Sequence, residues 1–152
     1  MATTVTAQNL TVTITEQYTL NGVSYGNTMN KTYTSNGEVY QRIMAIPVGG
    51  EGVFTDIINF GAADSAGQAD ITNYKYFRIK NLDDTNFLIL RVKGTADSFF
   101  IKIKAGETFL LMDNEVDAIA SSTTFGAFTD ISQISAKADT DGIDIEFVVV
   151  TV

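Results

Sequence analysis

Apolar residues recur at every second position through most of this chain, and that period sets its fold class. Near the N-terminus Leu10, Val12 and Ile14 alternate with Thr11, Thr13 and Thr15. A two-residue period with β-branched residues marks a strand with one covered face; a helix would repeat every 3.6 residues. Residues 74–112 carry the pattern most cleanly. Phe77 and Ile79 oppose Arg78 and Lys80, then Leu88, Leu90 and Val92 oppose Arg91 and Lys93, and Phe99, Ile101 and Ile103 oppose Lys102 and Lys104. Apolar inward and basic outward in three successive strands predicts an antiparallel meander lying on a core.

Turn signals punctuate these runs. Asn21-Gly22 and Asn36-Gly37 are favoured hairpin dipeptides because both residues tolerate positive φ. Asn36-Gly37 lies between "NKTYTS" and "EVYQRIMAI", predicting that those two strands pair. "KNLDDTNFL" (80–88) and "AGE" (105–107) read as reversals within the meander, and "DTDG" as the turn into the last strand. "NEVDAIASS" fits a helical turn or a strand equally. "DISQISAKA" alternates imperfectly, as at a bulge. In the closing "IDIEFVVVTV", Ile143, Ile145, Phe147 and Val149 face one way and Val148, Val150 and Val152 the other, predicting burial on both faces, inside the domain or against a partner. Roughly nine or ten short strands result, the spacing of an all-β antiparallel sandwich, jelly-roll-like, with a barrel as the alternative. With 152 residues, one proline and no linker-like tract, residues 1–152 read as one sandwich domain.

Composition excludes several chemistries. The chain has no cysteine and no histidine. A thiol nucleophile, a thiolate metal site, a Ser-His-Asp triad and a histidine-ligated zinc centre are therefore out of reach. "DTDGIDIE" resembles a calcium loop only superficially: aligning Gly142 with the loop glycine puts Lys137 at the first ligand and Val148 at the closing glutamate. Asp83, Asp84 and Asn86 lack neighbours to supply six to eight oxygens and read as turn residues. A hydrolytic carboxylate pair would need only two acids; with eighteen in the chain, solvated surface acids are the simpler reading. No catalytic residue, cofactor or metal is assigned, and a non-enzymatic protein is expected. The start, "MATTVTAQNL", lacks a basic and apolar leader, so cytoplasmic synthesis without a signal peptide is expected. No apolar run is long enough to span a membrane as a helix, and the net charge of −8 disfavours nucleic acid.

That charge is unevenly spread. Residues 75–104 hold seven of the ten basic residues and three acids, a local net of +4 against −12 for the remainder. Projected from three adjacent strands, Arg78, Lys80, Arg91, Lys93, Lys102 and Lys104 would form one basic face. Such a face is either solvated or a docking surface for an acidic patch. Together with Val148, Val150 and Val152 it makes the expected interface. Tyr18, Tyr25, Tyr33, Tyr40, Tyr74 and Tyr76 fit cross-strand packing better than a sugar platform.

The stretch "YFRIKNLDDTNFLILRVKGTADSFFIKIKAGETFLLM", residues 76–112, resembles small virion structural proteins of tailed bacteriophages. These share a hydrophobic-Ile-x-Asn-Leu-Asp-x-Thr-Asn-Phe segment, a β-run and a Gly-Glu turn into a hydrophobic-Leu-Leu run. The resemblance covers about a quarter of the chain. It implies a non-enzymatic particle component, with a capsid decoration (cement) protein as the leading expectation. The partners would be the major capsid protein or other virion proteins and further copies of the chain, with a trimer favoured. A carbohydrate- or receptor-binding module of a tail or neck is the alternative.

Overall fold

The structure is a computed structural model that describes residues 8–61, 69–70, 74–94, 98–112 and 131–151. By its internal packing the chain divides into two compact units, Met1–Gly37 and Glu38–Val152, where the sequence reading has one domain over 1–152. The first unit is a long ribbon of two antiparallel strands, β1 (Gln8–Leu20) and β2 (Val23–Asn36). Its turn is Asn21-Gly22, with φ of 50° and 79°, the positive values that this dipeptide accepts most readily.

The second unit is all-β among its described residues, with two sheets packed face to face. One sheet has the order β3 (Glu38–Ile46), β11 (Ile143–Thr151), β6 (Tyr74–Asn81), β9 (Thr108–Met112). The other has the order β5 (Ala69–Asp70), β4 (Thr55–Gly61), β10 (Gln133–Ala138), β7 (Leu88–Lys93), β8 (Ser98–Ile103). β5 is a two-residue parallel addition at the edge of β4. Counting the other eight strands in chain order from β3, the sheets read 1-8-3-6 and 2-7-4-5. That is the jelly-roll order: a long antiparallel hairpin, paired 1 with 8, 2 with 7, 3 with 6 and 4 with 5, rolled into two layers.

The alternation read from the sequence holds in β6, β7 and β8 and on the inward side of β11. Ile79, Ile145 and Phe147 from one sheet meet Leu88, Leu90 and Ile134 from the other in a single buried cluster. Each such side chain contributes about 1.5–3 kcal/mol on burial. β11 lies between β3 and β6 in the sheet, and at its valine-rich end both Val149 and Val150 are buried, so that end is covered on both faces. The bulge expected in "DISQISAKA" is a register shift between Ile134 and Ser135 opposite β4.

Strand order differs from the sequence reading. Residues 74–112 are not a meander. β6 and β9 pair with each other in one sheet, and β7 and β8 in the other. "KNLDDTNFL" and "AGE" therefore carry the chain across from sheet to sheet. Asn36-Gly37 is not a hairpin turn either: β2 pairs with β1, and β3 with β11. The segment "NEVDAIASS" lies outside the described residues, as does Val152.

Candidate docking surfaces

The two crossings run side by side, and a buried amide ties them together. Asn81, fully buried at the end of β6, donates through Nδ2 to the carbonyls of Asn86 at 2.8 Å, Lys104 at 3.2 Å and Ile103 at 3.4 Å. Its Oδ1 accepts the Asp83 N–H at 3.0 Å. Asp83 in turn accepts the N–H groups of Asn86 and Thr85, which hold its carboxyl below the usual carboxylate range. The Asp83 carbonyl accepts the Gly106 N–H at 3.0 Å, at a position with φ of 71°. The third crossing joins the same corner. Leu82 N–H donates to the Asp144 carbonyl at 2.9 Å, Asp139 N–H to the Phe87 carbonyl at 3.2 Å, and Thr140 Oγ1 to Asn86 Oδ1 at 3.0 Å. Asp83 and Asn86 are thus consumed in backbone and corner bonds. Asp84 accepts from Thr85 Oγ1 at 3.0 Å. Among the described residues no cluster of three or more acids is placed to hold a metal ion.

Because the chain crosses between sheets here, the six basic residues do not share a face. Arg78 and Lys80 project from the outer face of the four-stranded sheet. Arg78 Nη2 donates to Glu146 Oε1 at 2.8 Å, and this contact, with Lys80 nearby, keeps the Glu146 carboxyl below its ordinary range. Arg91, Lys93 and Lys102 lie on the outer face of the five-stranded sheet. Lys104 follows β8 at the corner, its carbonyl occupied by Asn81 and the Glu107 N–H. Of the C-terminal residues, Val150 is 1% exposed within the chain itself and so offers little surface to a partner. Val148 is half-buried between Gln41 and Arg78.

The five-stranded sheet carries a better-built surface than the expected one. Arg91 donates to Ser135 Oγ and Gln133 Oε1, each at 2.9 Å, and Gln133 donates on to Asn59 at 3.0 Å. Its guanidinium carbon sits 4.5 Å from the Phe54 ring centre, and Lys137 Nζ is 5.6 Å from the same ring. Phe100, 59% exposed, is tilted against Phe54 at 5.8 Å, and Lys102 Nζ lies 3.5 Å over Phe87. Each cation–ring contact adds about 0.5–1 kcal/mol at a wet surface and holds the cation in place. Sequence reasoning missed Phe54, Phe87, Phe100 and Lys137. Two carried a signal: Lys137 as an outward position of "ISAKA" outside the basic stretch, and Phe100 in the same outward register as Lys102.

The tyrosines form no common platform. Tyr18 and Tyr25 stack at 5.5 Å on the ribbon, Tyr33 lies beneath Lys31, and Tyr76 is buried. Tyr40 is half-buried, and its hydroxyl is pushed up by burial and by Glu38, to which it donates at 3.2 Å. The side chain of Tyr74 lies outside the described set. Between β3 and β4, Tyr40, Arg42, Asp56 and Asn59, with the apolar Ile57, Ile58 and Phe147, line a cleft of about 430 Å³. Among known proteins, no family model, no curated protein and no solved structure matches this chain.

Proposed function

We propose that this chain is a non-enzymatic structural protein of a bacteriophage virion, a decoration (cement) protein that binds the head and reinforces contacts between capsomers. One observation carries the docking part of this reading: the ordered cation–aromatic surface of Arg91, Lys102 and Lys137 with Phe54, Phe87 and Phe100, on a chain whose net charge is −8. Cations held over the half-buried Phe54 and Phe87 rings, beside the exposed Phe100, suit an acidic, partly apolar protein patch, where steering and burial act together. The virion assignment rests on the resemblance of residues 76–112. The partner is then the major capsid protein or a neighbouring virion protein, and the chain's place is the particle surface. The jelly roll, a fold common to viral shell and lectin domains, is compatible with this role and does not select it.

Electron microscopy of the parent particle tests the location. Copies distributed over the whole shell are expected, and a few copies at one vertex would refute head decoration. Binding of purified protein to bare heads should weaken as salt is raised. It should also weaken with Arg91→Glu combined with Lys137→Glu; unchanged binding would rule out this face.

The cleft beside β3 supports a second reading, a glycan-binding module. Its volume and its mixed polar and apolar lining fit one or two sugar rings. A glycan array giving binding that Arg42→Ala and Asp56→Ala abolish would favour it over decoration.

A further inference from the structure

The ribbon Gln8–Asn36 has two unlike faces. Thr11, Thr13 and Thr15 bond across to Thr32, Asn30 and Thr28 at 3.2, 2.8 and 3.4 Å, making one face a ladder of hydroxyls and an amide. The opposite face pairs Ile14 with Met29, Tyr18 with Tyr25 and Leu20 with Val23. Towards the turn this face is bare: Tyr18, Leu20, Val23, Tyr25 and Met29 are 46–59% exposed. A two-stranded hairpin alone in water is marginal at best and needs a cover for its apolar side.

We propose that this cover is the same face of a second copy of the chain. Charge supports that choice. The whole net charge of −8 resides outside the ribbon, which holds one acid, Glu16, and one base, Lys31. Bodies of like charge repel, so a neutral segment is where copies can meet. Both charges lie on the apolar face, one pair-row to either side of Ile14 and Met29. Stacked antiparallel with Ile14 and Met29 over their own counterparts, each Lys31 falls diagonally across from the other copy's Glu16. The face is therefore complementary to itself, as a twofold contact requires. Thirteen residues span about 43 Å and two strands about 10 Å, so full overlap of two faces buries on the order of 1,000 Å², the lower end of what a stable dimer needs; Tyr33, 6% exposed, is already covered and adds little to it. This inference does not rest on the virion reading, because self-association needs no capsid.

The test is the mass of the purified full-length chain by light scattering, over a range of concentrations, for wild type, Glu16→Lys, Lys31→Glu and the double exchange. A wild-type oligomer is expected. Each single change should weaken it about tenfold or more, and the double exchange should restore it. Circular dichroism melts check that the sandwich stays folded in each variant. A monomeric wild type, single changes without effect, or a double exchange no better than the singles would each overturn the proposal. Oligomer failure would leave head binding to be judged on its own, since that assay reads the sandwich face.

Discussion

Replacing Asn81 by alanine should destabilise the sandwich as much as removing a core leucine. The change strips the donor that serves the Asn86, Lys104 and Ile103 carbonyls and the acceptor for the Asp83 N–H. The 2.8 and 3.0 Å contacts are full hydrogen bonds, whereas those at 3.2 and 3.4 Å are weaker. Two full bonds at about 1 kcal/mol each, plus the penalty for stranding buried backbone groups, give a loss of about 3 kcal/mol. For a sandwich of this size that lowers the melting temperature by about 12 °C. The chain has no tryptophan, so far-ultraviolet circular dichroism in a urea titration is the suitable readout. Asn81→Asp sharpens the test. It keeps the acceptor but sets a carboxylate against carbonyl oxygens, so it should cost more than alanine at pH 7. Burial raises the pKa of such a group, so its deficit should shrink as the pH falls and protonation returns a donor. Thr85→Ala, at an exposed position on the same crossing, should cost under about 0.5 kcal/mol. An Asn81→Ala loss below about 1 kcal/mol would refute the idea that this amide holds the two crossings together.

Further outcomes follow from other parts of the molecule. Leu90→Ala, fully buried between the sheets, should cost about 3 kcal/mol in the same titration. Glu146→Gln tests the Arg78 pair: the folded carboxyl is depressed, so its contribution is present above the unfolded value of about 4.3 and is lost as pH falls through the folded value. The gap between wild type and Glu146→Gln should therefore stay under about 1 kcal/mol at pH 7 and close on acidification. A widening gap would show the sign to be wrong. Gly26→Ala places a methyl inside contact distance of the Glu16 backbone carbonyl, which cannot swing aside as a flexible side chain could. Hydrogen exchange should then accelerate across the ribbon while the sandwich melts at nearly its wild-type temperature; unchanged ribbon protection would contradict the clash.

Much of the fold was legible locally. The two-residue period placed most strands and chose their inward sides, because alternation depends only on neighbours in the chain. Phe77, Leu90 and Phe147 could be put in the core on that ground alone, and Asn21-Gly22 could be read as a turn because its geometry is short-ranged. The expected docking surface was legible only in part. Arg91, Lys93 and Lys102 do share a face, but Arg78 and Lys80 lie on the other sheet, and Phe54, just before β4, and Lys137, in β10, come from segments distant along the chain.

What the sequence determined by itself, then, was an all-β antiparallel fold, read as a sandwich with a barrel as the alternative, and the side of most strands that points inward. What only the tertiary structure decided was which strands are neighbours. A dipeptide such as Asn36-Gly37 and a stretch such as "KNLDDTNFL" have the same local chemistry whether the chain turns back beside itself or crosses to another layer. The choice is made by partners far along the chain, such as the carbonyls of Ile103 and Lys104 that Asn81 reaches and the strand β9 that β6 selects. Charge follows the same rule: alternation tells a lysine to point outward, and only the strand order says which outside it points to.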